Sequence, residues 1–502
     1  MRMLPACHRA DRFGSVLTPS RPFAVTQGKR GPRTVTSVGS ATLPETPRSI
    51  AARRVFVDGA FVPATLQVEG TVISAIGAFD AGAGTVLPDD AVVLPGLVDS
   101  HVHLDEPGRT EWEGFATGTA AAAAGGVTTV LDMPLNSVPV TTSPAALAAK
   151  RAAARRKLAV DVGYWGGAVP ENLGTLRTLA AAGVVGFKCF LSPSGIDEFG
   201  HLDQAGLHRA LDEVAGFDGV LIVHAEDPAH LHGEGPLGLD YRVFERSRPP
   251  ESERSAIRAV IEASRRTGGR AHIVHVSDGT ALDDVRAAKA DGVRLTIETC
   301  PHYLTLRAED VPDGAAQFKC CPPIRDAANQ DLLWDGVLDG TIDAIVSDHS
   351  PSTRALKQQG DGDFGLAWGG ISGLQTGLAA TWTEARRRGI PLETILPLLT
   401  TGPARIAGLG TRGRLAVGEP AHLVVFRPDA SIRVRADDLE YRNPMSPWDG
   451  HVLDGIVEAT YVHGALAFRR GLGVLRRVGR EILATSGDAR AAASGVSERA
   501  VS

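Results

Sequence analysis

The stretch Val93–Phe115, VLPGLVDSHVHLDEPGRTEWEGF, is an apolar run that stops on His101-Val102-His103 and passes at once into two acids, Pro107 and Gly108. Side chains alternate along a strand, so His101 and His103 share one face. Two imidazoles at the end of a buried strand are costly unless they find partners. Those partners must come from elsewhere in the chain.

Outward from this strand, the chain to about Ala407 alternates short β-branched runs with Ala-rich helical stretches. The runs include GVTTVLDM, LAVDVGYWGG, GVVGFKCFL, GVLIVHAED, AHIVHVSD, VRLTIETCP and TIDAIVSDHS. Helices such as SPAALAAKRAAARRK and DQAGLHRALDEVAG start near Ser, Asp or Pro and end near Gly or basic residues. Strands alternating with helices imply a parallel sheet, and eight of them predict an α/β protein built on a TIM-type (β/α)8 barrel over residues 93–407. Residues 53–92 and 408–470 read instead as short strands and turns. Together they predict a small β-sandwich made from both ends of the chain.

Residues 1–52 predict a disordered extension. The first 54 residues hold ten Lys/Arg against two acids, a composition also compatible with a transit leader. Residues 484–502 predict a disordered tail. A net charge of -6 gives no reason to expect nucleic acid or an anionic membrane as partner, and no apolar run approaches the roughly 20 residues of a membrane span. Five scattered cysteines without CxxC spacing point to a reducing cytoplasm.

Function in such a barrel sits at the C-terminal ends of the strands. His101 and His103 end strand 1, Lys188 lies near the end of strand 4, His224 ends strand 5, His275 strand 6 and Asp348 strand 8. His272, three residues before His275, is expected to face the other way and pack. Imidazoles and a carboxylate suit Zn(II), Mn(II), Co(II) or Fe(II). An ammonium cannot ligate a metal, but a neutral lysine that has reacted with CO2 becomes a carbamate able to bridge two cations. The alternative for Lys188 is a salt bridge to a strand-end acid.

HxH, the Lys of GFKCF, the His of VHAED, the His of VHVSD and the Asp of SDHSP form a set that resembles the cyclic-amidohydrolase branch of the amidohydrolase superfamily. The likeness runs from about residue 53 to 470. It implies two divalent metal ions, Zn2+ foremost. By this resemblance His101 and His103 hold the more buried ion and His224 and His275 the second. Lys188, as N6-carboxylysine, bridges them, and Asp348 ligates the first ion and shuttles the proton. A metal-bridging hydroxide would attack a ring amide, and Asp348 would pass its proton to the leaving nitrogen. Relatives of this kind imply a homotetramer acting on a small-molecule substrate.

Dihydroorotases, hydantoinases and allantoinases share this site. Dihydroorotases resemble this chain at HVHL but place Arg where it has Asp105, and Asn where it has Leu135. An acid beside a substrate carboxylate, with the Arg missing, costs on the order of several kcal/mol. The ring is therefore expected to be uncharged at that end. EPGRTEWEGF, DMPLNS, FLSPSGIDEF, ETCPHYL, KCCPPIRD and AWGGISGLQ look like those of the allantoinases, which implies opening of the neutral (S)-allantoin ring to allantoate in purine catabolism. A hydantoinase or dihydropyrimidinase is the alternative, then a dihydroorotase; a metal-free scaffold is disfavoured because all six ligand positions are filled.

Substrate contacts are expected from Asp105, Asn136, Cys300, Cys321, Pro322 and Gly370, with Glu106 and Ser192 nearby in the same motifs. His302 and His349 are expected to orient ligands or to be structural, Cys189 to pack in the core, and the Gly-rich segment 352–370 to form a mobile lid. Relatives usually carry Asp-Ala-Asp where this chain has Pro420-Ala421-His422, a departure expected to affect only local turn geometry.

Overall fold

The computed structural model describes residues 43–233 and 235–484; the expected extension and tail lie outside them, apart from residues 43–52 and 484. Eight parallel strands make the barrel: β1 (Leu97–Val102), β2 (Val127–Asp132), β3 (Asp161–Tyr164, resuming at Gly166–Gly167), β4 (Phe187–Phe190), β5 (Val220–His224), β6 (Arg270–Ile273), β7 (Leu295–Thr299) and β8 (Ala344–Ile345). Helices follow the strands and cover them. Ser143, Asp203 and Asp326 accept backbone N–H groups at the first turns of the helices Pro144–Ala154, Gln204–Ala215 and Ala327–Leu338. The helix Pro250–Thr267 stops at Gly268 in the left-handed region.

The ring closes between β8 and β1 through side chains as well as backbone. His349, just past β8, forms a parallel bridge with Val102, and its carbonyl accepts the His103 N–H at 2.7 Å. The Asp99 carboxylate takes the N–H groups of His101 and Ser347, both at 3.1 Å. Strand register sets the inner face. Lys188 pairs with Ile222, Ile222 with His272, and His272 with Thr296, so these four share a face. Cys189 faces the opposite way into the apolar layer, and burial pushes its thiol up to about 12.

The strands at the chain's two ends form one eight-stranded sheet that includes Ser49–Val57, Ala60–Glu69, Val72–Ala78, Val92–Pro95, Leu423–Arg433 and Val452–Val462. Leu423–Arg433 pairs with Val92–Pro95, which joins the late strands to the early ones. The sheet curls so that Ile50, Leu66 and Ile73 from one half and Leu423, Val425 and Tyr461 from the other share one buried cluster. Two β-rich segments too small to bury a core separately thus bury one together.

Sequence reading gave no sign of what lies in the seam between β3 and β4. A strap from Gly479 to Ala484 occupies its lower part. Val162 donates to the Arg480 carbonyl at 2.9 Å and accepts from Ile482 at 2.8 Å, while Ala484 donates to Gly183 at 3.0 Å. β3 pairs directly with β4 only higher up, where Gly166 donates to Gly186 at 2.9 Å. Gly479 passes so close to the Val160 carbonyl that a Cβ would collide with backbone. Gly479→Ala is therefore expected to lower stability by about 1–3 kcal/mol, as overpacking does, read as a lower denaturant midpoint with an unchanged slope.

Candidate metal centre

Six of the polar groups singled out in the sequence converge at the C-terminal mouth of the barrel. His101, His103 and Asp348 form a buried group of candidate ligands. Asp348 Oδ1 lies 3.1 Å from His101 Nε2 and 3.6 Å from His103 Nε2. Across the mouth, His224 Nδ1 and His275 Nε2 are 3.0 Å apart. The His101 and His275 rings are 5.4 Å apart between centroids, so the two groups are contiguous. His275 and Asp348 both have positive φ, as do Asp105 and Asn136. Such strained non-glycine backbone gathers at functional loops.

Hydrogen bonds determine which nitrogens face the centre. Glu298 Oε1 takes His101 Nδ1 at 2.5 Å, leaving Nε2 for the Asp348 side. Glu226 Oε2 takes His224 Nε2 at 2.8 Å, leaving Nδ1 toward His275. Arg248 in turn grips Glu226 with two bonds, at 2.9 and 2.6 Å, and its charge and the His224 contact hold that carboxyl well below the usual range despite burial. Burial holds His101, His224 and His275 neutral, with the neighbouring Lys188 adding to the effect. Neutral imidazoles are the form that binds metal.

Lys188 is fully buried and its Nζ has no hydrogen-bond partner among the described residues; it stands 4.9 Å over the Phe190 ring. Desolvation lowers its pKa to about 8, against the pull of Asp348 and Glu298. Among the described residues the alternative of a salt bridge to a strand-end acid is not formed. A buried amine this close to neutrality is available to react with CO2.

The donor set fits divalent metal. Ligand atoms about 2.0–2.1 Å from a tetrahedral ion lie roughly 3.3 Å from one another, and the 3.0, 3.1 and 3.6 Å separations bracket that edge.

The remaining residues divide. Asn136 Nδ2 lies 3.3 Å from His103 Nδ1. Cys300 and His302 form a second buried group with Asp348, and neither His302 nitrogen has a hydrogen-bond partner among the described residues. Asp105 is completely buried; desolvation, then the Asp132 and Glu113 carboxylates, push its carboxyl well above the usual range. Ser192 is buried, and its hydroxyl has no hydrogen-bond partner among the described residues. Glu106 accepts the Phe115 N–H at the start of a helix and pairs with Lys157, a structural role. The Pro322 carbonyl is taken by Tyr303 Oη at 2.7 Å, while Cys321 beside it is half-buried. Gly370 has φ 108, and a Cβ there would meet the Ser350 carbonyl. His349 backs the centre, with Nε2 3.3 Å from Glu113 Oε2. The segment 352–370, expected to be a mobile lid, is pinned: Asp363 accepts from Leu237 and Gly238, and Trp368 packs on Trp112.

His272 corrects the sequence reading. It faces the barrel interior on the same face as Lys188, and its Nε2 bonds Glu298 Oε2 at 3.0 Å, so Glu298 links it to His101. The strand ends at Ile273, and the positive φ of His275 turns that residue inward too. Glu298, Glu226 and Arg248 were not singled out. The available signal was an acid two residues from a ligand (Glu226) or two before Cys300 in an apolar strand (Glu298). Replacing Glu298 with Gln is expected to weaken metal affinity by roughly 10–100-fold, measured by competition with a chromogenic chelator.

Two models described as amidohydrolase family match residues 92–237 and 238–468. An allantoinase of Streptomyces avermitilis is 51% identical over 83% of this chain and 94% of its own length. Allantoinases of Arabidopsis thaliana and Saccharomyces cerevisiae are 41% and 39% identical, over 84% and 85% of this chain and 88% and 96% of their own lengths. Among solved structures, an L-hydantoinase (dihydropyrimidinase) from Arthrobacter aurescens superposes with a TM-score of 0.81 at 27% identity, covering 88% of this chain and all of that one.

Proposed function

The chain belongs to the amidohydrolase family and, within it, to the allantoinases, and from that membership we propose that its centre opens the ring amide of (S)-allantoin to give allantoate. The observation that carries the reading is the convergence of four buried imidazoles, a buried lysine with no hydrogen-bond partner among the described residues and a carboxylate at one barrel mouth. In this reading His101, His103 and Asp348 hold one divalent ion, His224 and His275 a second, and carboxylated Lys188 joins them. Zn2+ suits the donors best, with Mn2+, Co2+ or Fe2+ as other fits. The ions when bound supply Lewis acidity, acidifying a water and polarising a carbonyl.

The chain's own groups do the rest. Asp348 Oδ1 lies within reach of two imidazoles and is the one carboxylate of the inner set, which makes it the group to accept the water's proton and return it to the leaving ring nitrogen. Glu298 and Glu226 hold His101 and His224 in the tautomers the ligands need. Asp105 and Leu135 provide no cation to pair with a substrate carboxylate, which supports a neutral ring over dihydroorotate. Asn136, Cys300, Cys321, Pro322 and Gly370 are proposed to shape the substrate end. We extend the reading to a binuclear enzyme of the cytoplasm, assembled as a homotetramer. No helix among the described residues is long and apolar enough to cross a membrane. The domain reading is 53–92 with 408–470 for the sheet unit and 93–407 for the barrel.

Side-by-side assays of the metal-loaded enzyme on allantoin, hydantoin, dihydrouracil and dihydroorotate are expected to favour allantoin; a preference for dihydroorotate would overturn the reading of Asp105. Asp348→Asn is expected to lower kcat by roughly 10²–10⁴-fold. Lys188→Ala is expected to lose both metal and turnover, and an unchanged metal count by elemental analysis would remove the carbamate.

A further inference from the structure

A third group of candidate ligands lies at the opposite end of the barrel, where the sheet and the strap meet its floor. Asp161 opens β3. His422 directly precedes the sheet strand Leu423–Arg433, and His463 sits in the turn between Val452–Val462 and Ala465–Arg469. One potential ligand atom from each lies within 4.8 Å of the others, and all three residues are buried. His463 Nε2 is 2.8 Å from Asp161 Oδ1, His422 Nε2 is 3.6 Å from Asp161 Oδ2, and the two rings are 4.6 Å apart.

His422 is the unexplained member. It is 8% exposed, and neither ring nitrogen has a hydrogen-bond partner among the described residues. Polar atoms left bare in a protein interior cost about 1–3 kcal/mol each. Burial pushes this imidazole down to about 3, so it is neutral and offers a lone pair. Asp161 is held at about 2, burial notwithstanding, by the His463 hydrogen bond and the charges around it. It is an anion throughout the working pH range.

We propose that Asp161, His422 and His463 form a non-catalytic divalent cation site, of the two-imidazole, one-carboxylate type that takes Zn2+, riveting the sheet to the barrel floor. The 2.8 and 3.6 Å separations straddle the roughly 3.3 Å edge expected between ligands of a tetrahedral ion. The neighbours set the strength. Arg412 Nη1 contacts Asp161 Oδ2 at 2.8 Å and also reaches Thr129 Oγ1, while the Arg480 N–H contacts Oδ1 at 2.7 Å. A carboxylate has about four acceptor positions, so these two contacts leave room for an ion. The guanidinium charge opposes that ion, however, and makes this site weaker than the catalytic centre. Removing it should tighten binding.

The test uses the full chain, stripped by chelator, reloaded with Zn2+ and dialysed, with metal per chain read by elemental analysis. The wild type is expected to hold one equivalent more than His422→Asn. A variant lacking catalytic ligands, His101→Asn with His275→Asn, is expected to keep one equivalent, and Arg412→Ala to bind it at lower free Zn2+. Equal metal in wild type and His422→Asn overturns the site. If His422→Asn does not fold, anomalous scattering from a zinc-loaded wild-type crystal decides: a peak among these three residues supports the site, and no peak there overturns it. Neither readout depends on turnover, so the site stands or falls separately from the proposed reaction.

Discussion

Glu298 is the interaction on which the centre depends. Placed inside the barrel on β7, it receives His101 through one oxygen and His272 through the other. A histidine has two nitrogens and either can carry the proton; Glu298 decides the question for His101 and leaves Nε2 for the mouth. Glu226 makes the same choice for His224 in mirror sense, freeing Nδ1. Both carboxylates are buried, but among the described residues only Glu226 has an arginine to balance it. Glu298 is bonded by His101 and His272 and acts on the nearby Lys188, so it is part of the surroundings that a cation at the mouth would meet.

Much of this was legible in the sequence because strand periodicity is local. Two histidines two apart must share a face, and a polar residue at the end of an apolar run must be aimed somewhere. His101, His103, Lys188, His224, His275 and Asp348 could therefore be picked out one strand at a time, and the specific motifs around them identified the family. What escaped was set by geometry that no local rule carries. His272 and His275 both turn inward because the backbone leaves the strand between them and enters the left-handed region. Glu298 gains its role from residues on two other strands. The segment 352–370 looked loose from its glycines, yet Asp363 ties it to a loop more than a hundred residues earlier in the chain.

The floor of the barrel is polar too, and the one family motif that reaches it is the stretch where this chain has Pro420-Ala421-His422, read from sequence as a matter of turn geometry alone. Asp161 alone gathers groups from the end of the helical part (Arg412), from two places in the sheet (His422, His463) and from the strap (Arg480). A single carboxylate thus joins three parts of the chain, and β3 runs from that arrangement toward the mouth. Stability residues at the bottom and reactive residues at the top are the usual division in barrels of this kind.

The strap between β3 and β4 has a consequence for how the molecule is made. It follows all eight barrel strands in sequence, yet it occupies a seam between the third and fourth. During synthesis on a ribosome the barrel strands emerge first, and the lower edge of β3 then has no partner for Val162. The cylinder can be roughed out but not sealed until the strap has left the exit tunnel. Over that interval the nascent chain displays an open strand edge, a surface that invites pairing with a neighbouring chain. The seam between β3 and β4 is therefore complete only once a late segment has entered it.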